Sequence, residues 1–96
     1  MLVAIKKSLE PIEYKEISNN NEPLQEIIGG YVEAIKFGKY LCLCDEDGKI
    51  KGEVENLYSL KLGVFLVGTL IFCEQEGENF SSIKDREDFE RALQEM

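Results

Sequence analysis

The stretch Gly68-Thr69-Leu70-Ile71-Phe72-Cys73 decides the fold, because it carries no charge and its last four residues are all apolar. A strand that is apolar at consecutive positions is buried on both faces, and such strands lie at the centre of a sheet. The largely apolar run that contains it, 62–73, has 12 residues. A membrane-spanning helix needs about 20. The sequence therefore predicts a central sheet strand at 68–73 and no membrane span.

Segments with period-two alternation or short apolar runs predict the other strands of this sheet. They lie at 2–5, 12–17, 31–37 and 40–44, with a short edge strand that begins near Phe80. A tight turn at Gly38-Lys39 joins two of them as a hairpin. Short connections of this kind pair neighbouring strands antiparallel.

The segment between the predicted strands at 40–44 and 68–73 is harder to interpret. Asp45-Glu46-Asp47-Gly48 predicts a hairpin loop, since Asp-Gly favours positive φ angles, and 49–52 then starts a return strand. Residues 53–67 fit either a helical turn or an irregular crossover that leads into a short strand.

Two amphipathic helices complete the pattern. Leu24, Ile27 and Ile28 recur at helical spacing between an asparagine-rich cap at 18–21 and the pair Gly29-Gly30. This predicts a short helix near 22–29 that ends at a glycine C-cap.

The second helix is predicted near 83–95, at the C-terminal end of the chain. Phe89, Ala92, Leu93 and Met96 fall at i, i+3, i+4 and i+7; Ser82 with Asp85 resembles a capping pair, and Glu87 and Arg91 are spaced for an ion pair. Together these elements predict one α+β domain over 1–96, with a roughly six-stranded, mainly antiparallel sheet and two helices.

The charge of the chain is strongly negative. It has 19 acidic and 11 basic side chains, a net charge of −8, which disfavours nucleic acid and anionic membranes as partners. Residues 74–96 hold eight of the acidic and three of the basic side chains. Glu87, Asp88 and Glu90 are therefore a candidate acidic interaction surface for a basic partner, or for imitation of nucleic acid, and the alternative is a merely solvated helix face.

Side chains suited to catalysis are scarce. There is no histidine, hence no Ser-His or Cys-His pair and no imidazole ligand for a metal. Cys42 and Cys44 are expected on one face of a strand as small buried hydrophobes, rather than in a redox or metal role. With Cys73 they make an odd count that fits a reducing cytoplasm, and the Lys6-Lys7 pair after a short apolar start predicts no signal peptide. We expect no enzyme activity, no cofactor and no metal site.

Several short motifs occur in a characteristic order. They are Ile28-Gly29-Gly30-Tyr31-Val32-Glu33, Cys44-Asp45-Glu46-Asp47-Gly48-Lys49, Gly52, Asn56, and Gly68-Thr69 at the entry of an apolar strand. In this order the chain resembles the DUF3846 family of small bacterial and phage proteins over nearly its whole length. The stretch after Gly52 departs from the family in lacking its proline and arginine. The resemblance implies an accessory protein in the cytoplasm of a bacterial host cell, and it implies no chemistry, because fold alone does not confer function.

Three residues beside these motifs are candidate binding residues: Tyr31, Glu33 and Asn56. They would border a pocket between the exit of the first helix and 52–58. The competing interpretation is structural, since asparagines often satisfy turn backbone groups and tyrosines often fill a sheet face.

Two main hypotheses of function follow. The first is a non-catalytic phage or mobile-element accessory protein that binds and modulates a host protein, in a role such as countering a host defence. The alternative is a protein that binds or sequesters a nucleotide-like small molecule as a homo-oligomer, because 96 residues leave little room for an enclosed pocket. A role as an accessory domain in host metabolism is a third interpretation.

Overall fold

The structure is a computed structural model that describes residues 1–47 and 68–94. The strands within these ranges are β1 Leu2–Lys6, β2 Glu13–Glu16, β3 Val32–Phe37, β4 Tyr40–Asp45, β5 Leu70–Glu76 and β6 Asn79–Ser81. The helices are α1 Asn21–Ile28 and α2 Arg86–Gln94. The predicted return strand at 49–52 and the ambiguous stretch 53–67 lie outside the described residues. Within the described residues the fold is α+β with a six-stranded antiparallel sheet and two helices, as the sequence predicts.

Strand β5 lies at the centre of the sheet, as its apolar sequence predicts. The strand order is β2-β1-β5-β4-β3, every pairing is antiparallel, and β6 pairs with the far end of β5. The side chains of Leu70, Ile71, Phe72 and Cys73 are all fully buried. Burial on both faces requires cover on both faces, and the two helices supply it.

Alternate residues of β5 face different helices. Leu70 and Phe72 pack in one cluster with Phe89 and Leu93 of α2. Ile71 and Cys73 pack in a second cluster with Leu24 and Ile28 of α1. The sheet is therefore the middle layer of three, with one helix on each side.

The ring of Phe89 is the centre of the α2 side of the core. Its centroid lies 5.2 Å from that of Tyr40 and 5.4 Å from that of Phe72, and 6.4 Å from that of Tyr14, which it meets edge to face. Edge-to-face and tilted aromatic pairs add stability beyond the area they bury. This cluster holds α2 on the sheet.

Helix α2 begins at Arg86, three residues later than the sequence predicts. The Asp85 carboxylate alone caps it, because Oδ1 accepts hydrogen bonds from the backbone N–H groups of Glu87 at 3.0 Å and Asp88 at 3.2 Å. The Ser82 hydroxyl does not take part in the cap. It accepts the N–H of Leu2 at 2.9 Å and so ties the end of β6 to β1.

Helix α1 ends at a glycine C-cap, as predicted, but no asparagine side chain caps its start. Gly29 has a φ of +86° at the C-cap, and its N–H donates to the carbonyl of Gln25 at 2.7 Å. Asn20 occupies the N-cap position without a side-chain capping bond. The amide of Asn19 instead donates to the Phe80 carbonyl at 2.9 Å, so an asparagine expected to cap the helix anchors the loop to β6.

Candidate functional site

An open groove of about 500 Å³ lies between the end of α1 and the start of β3. It is lined by Glu22, Gln25, Glu26, Gly30, Tyr31 and Asp47. Three of these six residues carry carboxylates, and one carries an aromatic ring. The groove therefore combines negative charge with an apolar surface.

Tyr31 is 69% exposed, so the expectation that it fills the sheet face is wrong. The residue stands just before β3 and does not belong to the strand, because the first residue of β3 is Val32. Its carbonyl accepts the N–H of Glu46 at 2.9 Å, which fixes the backbone against the end of β4 while the ring lies in the groove. The backbone of Tyr31 is therefore held in place, and its ring is accessible to a partner.

The other two predicted binding residues do not join Tyr31 in this groove. Glu33 lies within β3 opposite Cys44, and alternation along the strand puts it on the face of Ile35, which packs on the α2 side. Its carbonyl accepts the thiol of Cys44 at 3.7 Å, while its side chain is exposed. Asn56 lies outside the described residues.

The groove residues that the sequence analysis did not single out are Glu22, Gln25, Glu26 and Asp47. A signal for two of them is present in the sequence. Glu22 and Glu26 are four residues apart, on the helix face opposite Leu24 and Ile28, and Gln25 lies at the side of the helix. The position of Asp47 in the groove depends on where β4 ends, and the helical spacing in α1 gives no information about that.

Asp88 is part of a polar network that joins α2 to the β3–β4 hairpin. Its carboxylate accepts a hydrogen bond from the Tyr40 hydroxyl at 2.5 Å, lies 3.1 Å from Lys39 Nζ and lies 3.9 Å from Arg91. The sequence spacing predicts a pair between Arg91 and Glu87, but the structure shows an ion pair between Arg91 and Asp88. Asp88 therefore has a structural role that its neighbours on the helix lack.

The pKa values within this network move apart. The Tyr40 hydrogen bond, followed by that from Lys39, lowers the pKa of Asp88. Burial, and then the hydrogen bond to Asp88, raises the pKa of the Tyr40 hydroxyl. The hydrogen bond to Asp88 also raises the pKa of Lys39. The network therefore favours an ionised carboxylate beside a protonated phenol.

The predicted acidic surface on α2 divides into two kinds of residue. Glu87 and Glu90 are exposed to solvent, whereas Asp88 is half-buried and paired. Among the described residues of α2, Glu87 and Glu90 are therefore the members of the predicted acidic surface that are available to a partner.

The three cysteines are buried and free. Cys42 and Cys44 lie on the α2 side of the sheet, on one face as predicted, and Cys73 lies on the α1 side. Burial raises the pKa of the Cys42 thiol and raises that of Cys73 to about 11. Thiols in this state are poor nucleophiles at neutral pH, because the thiolate is the reactive form.

A second groove has the opposite character. It lies between the β3–β4 and β5–β6 turns and is lined by Lys36, Gly38, Lys39, Gln75 and Gly77. Two lysines thus meet at the end of the sheet opposite Tyr31, although Lys39 also pairs with Asp88.

Two further findings concern membrane-spanning helices and metal ligands in the parts of the chain that the structure describes. No helix there has the length and apolar character needed to cross a membrane. No group of three or more cysteine, aspartate or glutamate side chains in residues 1–47 and 68–94 is placed to hold a metal ion.

Comparison with known proteins gives one match. Residues 1–94 match the family described as Domain of unknown function (DUF3846). No curated protein and no solved structure matches the chain. The match covers almost all of the 96 residues and all of the described strands and helices, so the chain belongs to the DUF3846 family.

Proposed function

We propose that this DUF3846 domain is a non-catalytic interaction module that binds and modulates a host protein, as an accessory protein of a phage or mobile element that counters a host defence. The observation that carries the proposal is the exposed ring of Tyr31 in a groove with three carboxylates. Aromatic residues are enriched in protein interfaces, because a rigid ring buries much area at a low entropic cost.

The charge of the protein favours a basic partner. Glu22, Glu26 and Asp47 line the groove, and the whole chain carries a net charge of −8. Opposite charges speed the encounter of two proteins and disfavour wrong partners. A protein surface with lysine and arginine side chains is therefore the expected occupant.

The chemistry of the described residues supports binding over catalysis. The thiols are buried with raised pKa values, and Tyr40 and Asp88 hold α2 on the sheet. A catalytic acid or base needs access to a substrate and a pKa near the working pH. The described cysteines and the Tyr40–Asp88 pair lack one or both of these properties.

The experiment is affinity capture of the tagged chain from a bacterial host, followed by purification of the captured partner and measurement of the binary Kd. Two double reversals form a matched pair: Glu22→Lys with Glu26→Lys in the groove, and Glu87→Lys with Glu90→Lys on α2. Each makes the net charge four units more positive, so they differ only in where the charge is placed. Asp88 is left unchanged, because its loss would disturb the fold.

The outcomes separate the surfaces. Weaker binding by the groove variant alone supports the Tyr31 groove as the binding surface. Weaker binding by the α2 variant alone supports the acidic surface of α2. Equal effects of both variants mean that only overall charge matters, and the absence of any stoichiometric partner contradicts the proposal.

A second candidate function is favoured by the groove of Lys36 and Lys39. Two lysines beside glycine turns suit an anionic ligand such as a nucleotide-like signal, bound by a homo-oligomer. A thermal-shift screen with cyclic and ADP-ribose nucleotides tests it, since a ligand at 100 times its Kd stabilises by about 2.7 kcal/mol. Lys36→Gln should abolish a genuine shift, and no shift with any nucleotide would remove this candidate.

A further inference from the structure

Leu9 combines an unfavourable backbone conformation with an exposed apolar side chain. Its φ is +64°, the one positive φ among described residues other than glycine. It lies in the turn after β1, where the N–H of Glu10 donates to the carbonyl of Lys7 at 3.2 Å. Glycine or asparagine normally occupies such a turn position, because at positive φ the Cβ of an L residue comes too close to the following carbonyl oxygen.

The side chain of Leu9 does not compensate for this conformation by burial. It is 89% exposed, the highest value for a large hydrophobic residue in the described ranges. Single exposed leucines are common, but an exposed leucine on a strained backbone is uncommon. Backbone strain of this kind is concentrated at functional sites.

Leu9 lies at the same end of the sheet as Tyr31. The register pairs Lys6 with Leu70 and Val32 with Asp45, so β1 and β4 end where β3 and β5 begin. The Leu9 turn follows β1 directly, and Tyr31 directly precedes β3. Within the described residues these two are the large hydrophobic side chains with high exposure.

The separation of the two strands beside Leu9 and Tyr31 suits a single interface. Strands β5 and β4 lie between β1 and β3, so three spacings of nearly 5 Å put the two strands roughly 14 Å apart. An interface of standard size buries about 800 Å² on each partner and easily covers that distance.

We propose that Leu9 and Tyr31 are two anchors of one docking surface for a basic protein, in which Leu9 enters an apolar pocket of the partner. The carboxylates of Glu22, Glu26 and Asp47 then meet its lysine or arginine side chains beside the Tyr31 ring. This inference rests on the proposed function and names the surface that performs it.

Charge decides against a second copy of this chain as the occupant. A two-fold interface brings the same patch of both copies together. The three groove carboxylates would then face their own counterparts in a protein of net charge −8, which is repulsive. A basic partner converts the same charges into attraction.

Photo-crosslinking in bacterial cells tests the surface. The photoreactive residue p-benzoylphenylalanine replaces Leu9, Tyr31 or, as a control, Glu78, which is exposed in the turn at the opposite end of the sheet. Positions 9 and 31 should crosslink to one and the same protein, at a segment that contains lysine or arginine, and position 78 should not. An adduct of twice the 11.0 kDa of one chain would identify a second copy and overturn the inference.

Two substitutions separate binding from folding. Leu9→Gly and Leu9→Asn both suit a positive φ, so they should raise the Tm, yet both remove the apolar anchor. We expect the Kd for the purified partner to rise about tenfold or more, while Glu78→Gln leaves it unchanged.

The results also distinguish this inference from the proposed function. If the Leu9 variants bind the captured partner with an unchanged Kd, the docking surface is wrong and the proposed function still stands. The same conclusion follows if the partner crosslinks from none of the three positions, or equally from all three. Failure to capture any partner overturns both.

Discussion

The hydroxyl of Tyr40 donates a hydrogen bond of 2.5 Å to the carboxylate of Asp88, 48 residues away in the chain. The bond joins β4 in the sheet to the first turn of α2. Lys39, next to Tyr40, approaches the same carboxylate at 3.1 Å. The acidic helix at the C-terminal end of the chain is thus attached to the sheet through one of its own carboxylates.

Removal of the Tyr40 hydroxyl should weaken this attachment. Tyr40→Phe keeps the ring contact with Phe89 but loses the hydrogen bond to a charged group. We expect the free energy of unfolding to fall by about 1–2 kcal/mol, measured by urea denaturation. Glu87→Gln is the control on the same helix turn and should change it by less than about 0.5 kcal/mol. An unchanged midpoint for Tyr40→Phe would show that the bond adds nothing to stability.

The stability should depend on pH at both ends of the range. The folded-state pKa of Asp88 is lowered, so its contribution is present above the unfolded value of about 3.9 and is lost as the pH falls through the folded pKa. The pKa of Tyr40 is raised, so its contribution is present below about pH 10 and is lost as the pH rises further. Denaturation midpoints across pH 2–11 measure both. Asp88→Asn should flatten the acid limb, and Tyr40→Phe the alkaline limb; a variant with the wild-type profile would contradict the assignment.

Loss of the Phe89 ring should be the most destabilising of these changes. The ring is fully buried and contacts Tyr14, Tyr40 and Phe72. Phe89→Ala removes a large core side chain and should cost about 3–5 kcal/mol, a large part of the stability of a small domain. Circular dichroism with thermal denaturation measures it. The exposed neighbour variant Glu90→Ala should behave as wild type, and similar melting of both would show that α2 is not packed on the sheet.

Gly29→Ala should destabilise through the backbone alone. The φ of +86° disfavours any side chain with a Cβ, yet apart from the adjoining chain no atom lies within 4 Å of where that Cβ would be placed. We expect a loss of about 1 kcal/mol in unfolding free energy. Asparagine tolerates this conformation better than alanine, so Gly29→Asn should lose less. Equal losses for both variants would point to a cause other than φ.

The buried thiols should be protected from modification in the folded protein. Cys42, Cys44 and Cys73 are each at most 2% exposed, and burial raises the pKa of Cys73 to about 11. Iodoacetamide at pH 8 should label them slowly in native buffer and rapidly in urea, as intact-mass spectrometry can follow. Rapid native labelling of one cysteine would reveal local opening of its strand.

The fold could be predicted well because its main signals are local. Leu70-Ile71-Phe72-Cys73 must be buried whichever partners surround it, and Gly29 ends α1 through its own backbone freedom. The starts of the helices were less predictable. Several residues near each start can act as a cap. The side chains of Ser82 and Asn19 instead form hydrogen bonds with β1 and β6.

The candidate site could be predicted only in part. The position of Tyr31 beside the glycine pair predicts it as a binding residue, but its exposure depends on where β3 begins. Asp88 has the same charge as Glu87, and only the approach of Tyr40 gives it a structural role. The strain at Leu9 has no signal in the sequence, because leucine is not a residue type that favours a positive φ.

The sequence by itself determined the central strand, the glycine end of α1, the antiparallel α+β class and the net charge of −8. Each of these depends on composition or on neighbours within a few residues. Only the tertiary structure decided which helix covers which face of β5, that Asp88 is held on the sheet, and that Leu9 and Tyr31 lie at one end of it. The reason is physical: these relationships join residues far apart in the chain, and they depend on strand register and order, which local patterns do not encode.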